Sequence, residues 1–360
     1  MFLNDVANIR LAGQQITTTK FKTPEQLVTW MGAMQAQDYN MAKWAIGVRL
    51  PDVTDKIIQT AIDKGEIMRT HLLRPTWHFV SADDIYWMLQ LSAPRIKASI
   101  KTRNKQLGLT QKIISKSNSI IEKALSGGKH LTREELMMKI EKAKIRTDEY
   151  RSGHLMLEAE LDGIVCSGSI NGLKQTYALL EERIPKPKAI NQDEALTKLA
   201  QKYFESRYPA TLQDFIWWSG LSPANAKLGL EMIKSKFISE TIGSQTFWMP
   251  FSFQKPNTYN ESAYLLPAYD EFTISYKDRS ASLSLKDQKR LNTFNGIFKP
   301  IIVINGNVAG MWKRTIKNDK VIIETKFFNK AFAGKKLQKE LLKDAALKLG
   351  NFLDKTPSIK

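Results

Sequence analysis

Residues 127–180 read GGKHLTREELMMKIEKAKIRTDEYRSGHLMLEAELDGIVCSGSINGLKQTYALL, and the order of signals within them decides the architecture. A helix near 110–126 ends at Gly127-Gly128. Thr132 then precedes Glu134, Glu135 and the apolar pair Leu136 and Ile140, which together form a helix N-terminal signature. A third helix runs from about Glu149 to Leu161, with Gly163 placed to close it. IVCSG and QTYALL follow as two strand-like runs around a turn containing Asn171-Gly172.

Three short helices followed by a hairpin is the order of a winged helix, and it recurs on both sides. Downstream, Pro185 and Pro187 mark a linker. ALTKLAQKYFESR, TLQDFIWWSG and PANAKLGLEMIKS come next, with Pro223 suited to a first helical turn. FISETI and QTFWMP then flank Gly243-Ser244. Upstream, helices are expected near 3–12, 24–34 and 54–64, with strands in EIMRTHLL and TWHFV. Residues 81–109 look helical and basic. Beyond about residue 260 the period changes. FKPIIVINGNVAGMWKRT holds two strands joined through Asn305-Gly306, KVIIETKFF adds a third, and a Lys-rich helix is expected near 333–353. The expected fold class is α+β. It comprises three tandem winged helices at 1–80, 110–184 and 185–250, a basic connector over 81–109, and a small β-rich, barrel-like domain with a terminal helix over 251–360.

Lys and Arg number 54 against 36 Asp and Glu, a formal net charge of +18. Such a surface attracts polyanions at long range: nucleic acid first, anionic membranes or acidic partners as alternatives. MFLNDVANIR lacks the basic start and apolar core of a secretory leader, and no apolar run approaches the roughly 20 residues of a membrane span. Cys166 is the sole cysteine, which excludes an internal disulfide and suits a reducing compartment. The expectation is a cytoplasmic monomer that binds double-stranded DNA, with no membrane, metal or cofactor. Four His and one Cys show no zinc spacing. Gly127-Gly128-Lys129 is followed by His130 where a phosphate loop needs Ser or Thr, and neither Gly-x-Gly-x-x-Gly nor Gly-x-Ser-x-Gly occurs. Nucleotide hydrolysis and serine-esterase chemistry are therefore disfavoured.

Four stretches carry candidate chemistry. In MQAQD, residues 34–38, Leu27, Met31 and Met34 form an apolar stripe, and a continuing helix would carry the Gln35 amide into it. An unpartnered amide there costs about 1–3 kcal/mol, so Gln35 either ties down backbone or acts with Gln37. Residues i and i+2 share a side only in extended chain, so joint action implies that the helix has ended. In THLLRPTWHFV, residues 70–80, with Arg69 just before it, the aromatics either complete the core of a wing or His71, Arg74, Trp77 and His78 line a pocket around the two glutamines. In APRIKASIKTRNKQ, residues 93–106, Lys97, Lys101 and Lys105 make one helix stripe beside Arg95 and Arg103. It is a solvated face or a phosphate contact, the latter favoured by the lack of interleaved acids. Lys313 and Arg314 are a second basic candidate. In AYDEFTISYKDR, residues 268–279, Asp270, Glu271 and Asp278 could do acid/base work, but an N-cap Asp and a local Asp–Arg pair with Arg279 are simpler. The third helices carry Glu158 and Glu160, and later Lys227, rather than the Arg, Asn or Gln of a groove reader.

Together, MQAQD, RTHLLRPTWHFV, LDGIVCSG with QTYALLEER, ATLQDFIWWSGL, LLPAYDEFTISYKDR and FKPIIVINGNVAGMWKR resemble the AlkZ-like family of bacterial winged-helix DNA glycosylases, over about residues 5–350. The resemblance implies three winged helices in a C shape around a positive channel, and removal of alkylated bases, in one branch crosslinked ones. Its Gln–apolar–Gln motif matches Gln35, Ala36 and Gln37, which implies that both glutamines are catalytic; Asp38, adjacent in the sequence, is the alternative base. The chemistry is sensible. A purine alkylated at N3 or N7 is already cationic and leaves unaided, so the enzyme mainly places a water and stabilises an oxocarbenium-like state with fixed dipoles. The expected function is hydrolysis of the N-glycosidic bond of cationic alkylated purines in duplex DNA. The alternative is a non-catalytic winged-helix DNA-binding or regulatory protein.

Overall fold

Three times along the chain a helix leads into a short extended segment, two more helices and a hairpin, and each time that segment pairs with the second hairpin strand. The computed structural model describes residues 3–254, 259–291, 297–329 and 336–360. The first unit runs α1 (Leu3–Gly13), α2 (Pro24–Met31), β1 (Ala33–Gln35), α3 (Tyr39–Gly47), α4 (Asp55–Lys64), β2 (Ile67–Leu72) and β3 (Thr76–Ser81), with sheet order β1-β3-β2. The 22-residue α5 (Ile85–Gln106) leads to α6 (Gln111–Leu125), β4 (Leu131–Thr132), α7 (Arg133–Lys142), α8 (Arg151–Leu161), β5 (Val165–Ser167) and β6 (Thr176–Leu179). Its sheet order, β4-β6-β5, repeats the first. After the short α9 (Leu180–Arg183) come α10 (Gln192–Ser206), α11 (Leu212–Ser219), α12 (Pro223–Ile233), β7 (Phe237–Ile242) and β8 (Gln245–Pro250). Here the short segment is a single bridge from Ala210 to Trp248. Thr132 and Thr211 close reciprocal capping boxes with Glu135 and Asp214, so each helix start satisfies its own free N–H groups.

Two departures from expectation shape the first unit. The helix expected over 24–34 stops at Met31, because Gly32 takes a φ of +71° and turns the chain into β1. Helix α3 lacks a polar face from Ala42 to Gly47, every residue of which is buried, so no helical period marks it.

The last third builds β9 (Ala263–Leu266), α13 (Glu271–Ile274), α14 (Leu285–Leu291), β10 (Ile301–Ile304), β11 (Asn307–Lys317), β12 (Lys320–Phe327), α15 (Lys336–Leu353) and β13 (Thr356–Ile359). They form one five-stranded sheet ordered β13-β12-β11-β10-β9. The β10–β11 turn has φ of +49° at Asn305 and +78° at Gly306, the pair of left-handed residues that a two-residue hairpin demands. Residues 333–335 of the expected terminal helix lie outside the described residues.

This sheet does not have a core to itself. Leu11, Leu27, Trp44 and Ile58 of the first unit are buried with Leu266, Ile302, Trp312, Val321 and Phe352 in one cluster. Trp44 Nε1 donates to the Leu265 carbonyl at 2.7 Å, and a Cβ on Gly47 would meet the Phe352 ring at 2.4 Å. The other side of the first sheet packs Met68, Leu72 and Val80 against Trp87 and Met88 of α5 and Leu196, Tyr203 and Trp218 of the third unit. Strand β1 therefore lies between two cores, with Met34 in one and Ala33 in the other. Among the described residues no helix is long and apolar enough to cross a membrane, and no cluster of metal-ligating side chains forms.

Candidate active site

The end of β1 is held by its backbone. The Gln35 N–H donates to Glu271 Oε1 at 2.8 Å, the Ala36 N–H donates to the Trp77 carbonyl at 2.7 Å, and Arg69 Nε donates to the Ala36 carbonyl at 3.0 Å. Glu271, at the start of α13, is buried. Its Oε2 accepts from Arg207 Nη2 at 2.8 Å, Trp218 Nε1 at 3.1 Å and the Ser275 hydroxyl. Arg207 also donates to the Met31 and Ala33 carbonyls at 2.7 Å each, clamping both sides of Gly32. Burial alone would push the Glu271 carboxyl up, but Arg207 and the surrounding donors outweigh it and hold the carboxyl below its ordinary range.

The two glutamine side chains are engaged differently. Gln35 is buried, and its carbonyl accepts from Arg74 Nη2 at 3.3 Å, while Arg74 Nη1 donates to the Trp217 carbonyl at 3.3 Å. Gln37 is exposed, and its carbonyl accepts a long bond, 3.4 Å, from the Trp77 N–H. With Asp38 it lines a cleft of about 440 Å³ against Tyr269, Phe298 and Lys299. Asp38 is the N-cap of α3, accepting from the Met41 N–H at 3.1 Å. The fold thus brings Gln35, Gln37 and Asp38 to one strand end, with Gln35 behind and Gln37 in front.

The histidines are held by protein partners. His78 is wholly buried, with Nδ1 2.9 Å from the Thr76 carbonyl and Nε2 unpartnered. Burial first, then the Arg74 charge, pushes its pKa down to about 3, so it is a neutral core residue and not part of a solvent-connected pocket. His71 Nδ1 lies 2.8 Å from Glu160 Oε2, which also accepts from the His71 N–H at 2.8 Å. The His71 ring packs on Trp77 at 4.0 Å, and Arg69 lies 4.0 Å from the same indole.

Packing gives several of the residues expected at DNA partners within the protein. Arg69 is 8 % exposed and donates to Gln175 Oε1 at 2.6 Å as well as to Ala36, so it ties two units together and is not free for phosphate. Lys97 is bonded to Asp162 and lies 3.6 Å from Glu158, so the stripe does meet acids, supplied by the following unit rather than by its own helix. Arg95, Lys101, Arg103 and Lys105 remain exposed. Lys313 is exposed and pairs with Glu324 at 3.0 Å. Arg314 is half-buried, its guanidinium lowered in pKa by burial against the opposing pull of Asp38 and Asp55. Asp270 is the N-cap of α13 and also makes a buried bidentate pair with Arg49, at 2.8 and 2.9 Å. The local pair of Asp278 with Arg279 does not form: Asp278 accepts from Gln245 at 2.9 Å, and Arg279 Nε donates to the Thr273 carbonyl at 2.6 Å. The sequence singled out Glu271 only as a possible acid and overlooked Arg207, Trp217, Trp218, Tyr269 and Phe298. The adjacent tryptophans 217 and 218 were the available signal.

Residues 28–352 match the family described as DNA glycosylase AlkZ-like. No curated protein sequence matches the chain. Among solved structures, the Streptomyces sahachiroi DNA glycosylase AlkZ is similar, with a TM-score of 0.80, 16% identity and 100% of each chain covered. At that identity the structural likeness speaks for the fold, while the sequence match spans most of the chain. The chain belongs to the AlkZ-like DNA glycosylase family.

Proposed function

We propose that the protein hydrolyses the N-glycosidic bond of cationic alkylated purines in double-stranded DNA, using three winged helices as its scaffold. The observation that carries this reading is the locked end of β1, where a buried Arg207–Glu271 pair fixes the strand that presents both amides. A buried ion pair seldom gains stability over apolar packing, so its use here is positional. Gln37, with an exposed carbonyl, holds the attacking water, and Gln35 is set behind it by Arg74. Water adds to C1′ as the bond from C1′ to the purine nitrogen breaks. The electron pair passes to the cationic base, which leaves neutral, and the proton from water passes to solvent, with Asp38 as the alternative acceptor. No ionising acid is required.

The thrice-repeated pairing of a short segment with a hairpin supports the winged-helix count, and the net +18 supports duplex DNA as partner. Helix α8 favours lesion recognition over sequence reading. Its Glu158 bonds Asn104 at 2.6 Å and its Glu160 bonds His71, so those side chains face protein rather than a groove. Incubation with a duplex containing 7-methylguanine, scored for abasic sites, tests the proposal. Base release is expected; tight binding to one DNA sequence with no release would identify the regulator instead.

A further inference from the structure

We infer that Leu173, at the tip of the β5–β6 hairpin, enters the base stack of bound DNA and holds a step open beside the lesion. The inference rests on the glycosylase reading above. Leu173 is fully exposed, at 102 %. It does not sit on a loose loop: Asn171 and Lys174 exchange two backbone hydrogen bonds of 3.0 Å, and Gly172 takes a φ of +62°, so the leucine projects from a tight turn. Other described hairpin tips are polar or covered. They carry Gly243 and Ser244, Asn305 and Gly306, or Asn318 and Asp319, and Leu73 at the β2–β3 turn is buried.

The hairpin is also anchored beside the two glutamines. Gln175 accepts from Arg69 Nη1 at 2.6 Å, and the same Arg69 donates to the carbonyl of Ala36, between Gln35 and Gln37. On the other arm the Arg69 N–H donates to Ser167 Oγ at 2.8 Å, and the Ile170 N–H donates to Asp63 Oδ1 at 3.0 Å, so with Gln175 both arms of the hairpin are bound to the first unit. Two residues span at most about 7 Å, which keeps the Leu173 backbone close to Gln175. Exposed Lys174 beside it suits a phosphate. An aliphatic side chain offered to water from a fixed apex is the device by which proteins part a base step, and extruding a base first requires its unstacking.

The test uses the full-length protein and a duplex carrying 7-methylguanine next to 2-aminopurine, which fluoresces more when unstacked. Wild type should raise the fluorescence on binding. Leu173→Ala should lose most of that rise and slow single-turnover excision from duplex by roughly tenfold, with a much smaller loss on single-stranded DNA. Leu173→Met, which keeps the apolar bulk, should restore both. Fluorescence needs binding alone. A Leu173-dependent rise with no base release by wild type would therefore sink the glycosylase reading and leave the wedge standing. The wedge is overturned if wild type gives no rise, or if Leu173→Ala unstacks and excises like wild type.

Discussion

Gln35 and Gln37 stand two positions apart with different surroundings, and this separates the effects of replacing them. Gln37→Ala should cut excision by at least about an order of magnitude, roughly 1.4 kcal/mol of transition-state stabilisation, with almost no change in melting because the side chain is exposed. Gln35→Ala should lower excision and also stability, by about 1–3 kcal/mol, because Arg74 loses a buried acceptor. Excision and melting measured on the same two proteins check both. If both excise at the wild-type rate, Asp38 is the next residue to replace. His78 makes a pH prediction. Native His78 stays neutral down to about 3, whereas the unfolded chain protonates it near 6.5. Between those values the unfolded state binds the extra proton, so this contribution to stability is complete above about pH 6.5 and drains as pH falls. The loss is at most about 1.4 kcal/mol per pH unit. Denaturant titrations at pH 7.5, 6 and 5 should show the gap between wild type and His78→Gln narrowing over that range; a constant gap would refute it.

Strand β1 is three residues long and cannot hold itself, so its position is imposed by α10 and α13 through Arg207 and Glu271. Glu271→Gln should leave the guanidinium buried without its counter-charge, costing about 3–5 kcal/mol, and should release the Gln35 backbone. Melting should fall, and excision per folded molecule should fall further; a variant that melts lower yet excises normally would show that β1 needs no clamp. Helix α5 behaves differently along its length. Its Lys97 is seated against α8, while Lys101, Arg103 and Lys105 face solvent.

Across the whole molecule, the charge and the shared core set two expectations. Charge reversal at Lys101, Arg103 and Lys105 should weaken binding to all DNA sequences alike. For every phosphate no longer neutralised, the slope of log K against log salt should flatten by about 0.9. Unchanged affinity would move the footprint elsewhere. Removing residues 251–360 should prevent the first unit from folding. Trp44, Leu27 and Ile58 share one core with Leu266, Ile302 and Phe352, and would be left open to water. Circular dichroism and dye binding on the truncated chain would read this directly; a cooperatively melting fragment would show that the first unit is self-sufficient.

Local chemistry was legible from the residues alone. The Thr132 cap, the Asn305-Gly306 turn and the order of three helices and a hairpin within residues 111–179 and 192–250 are carried by near neighbours, and they appear in the structure as the sequence led one to expect. The net charge is likewise a property of composition. The adjacent Gln35, Ala36 and Gln37 could be singled out because the motif is contiguous. Strand β9 and residues 42–47 of helix α3 were not legible, because a segment buried all round has no exposed face and hence no period. The pairing of charges was also beyond sequence. Glu271 meets Gln35 across 236 positions, Arg74 meets it across 39, and Lys97 finds its acids on α8. Those partners are chosen by the packing of whole elements, which brings together groups that no local spacing relates.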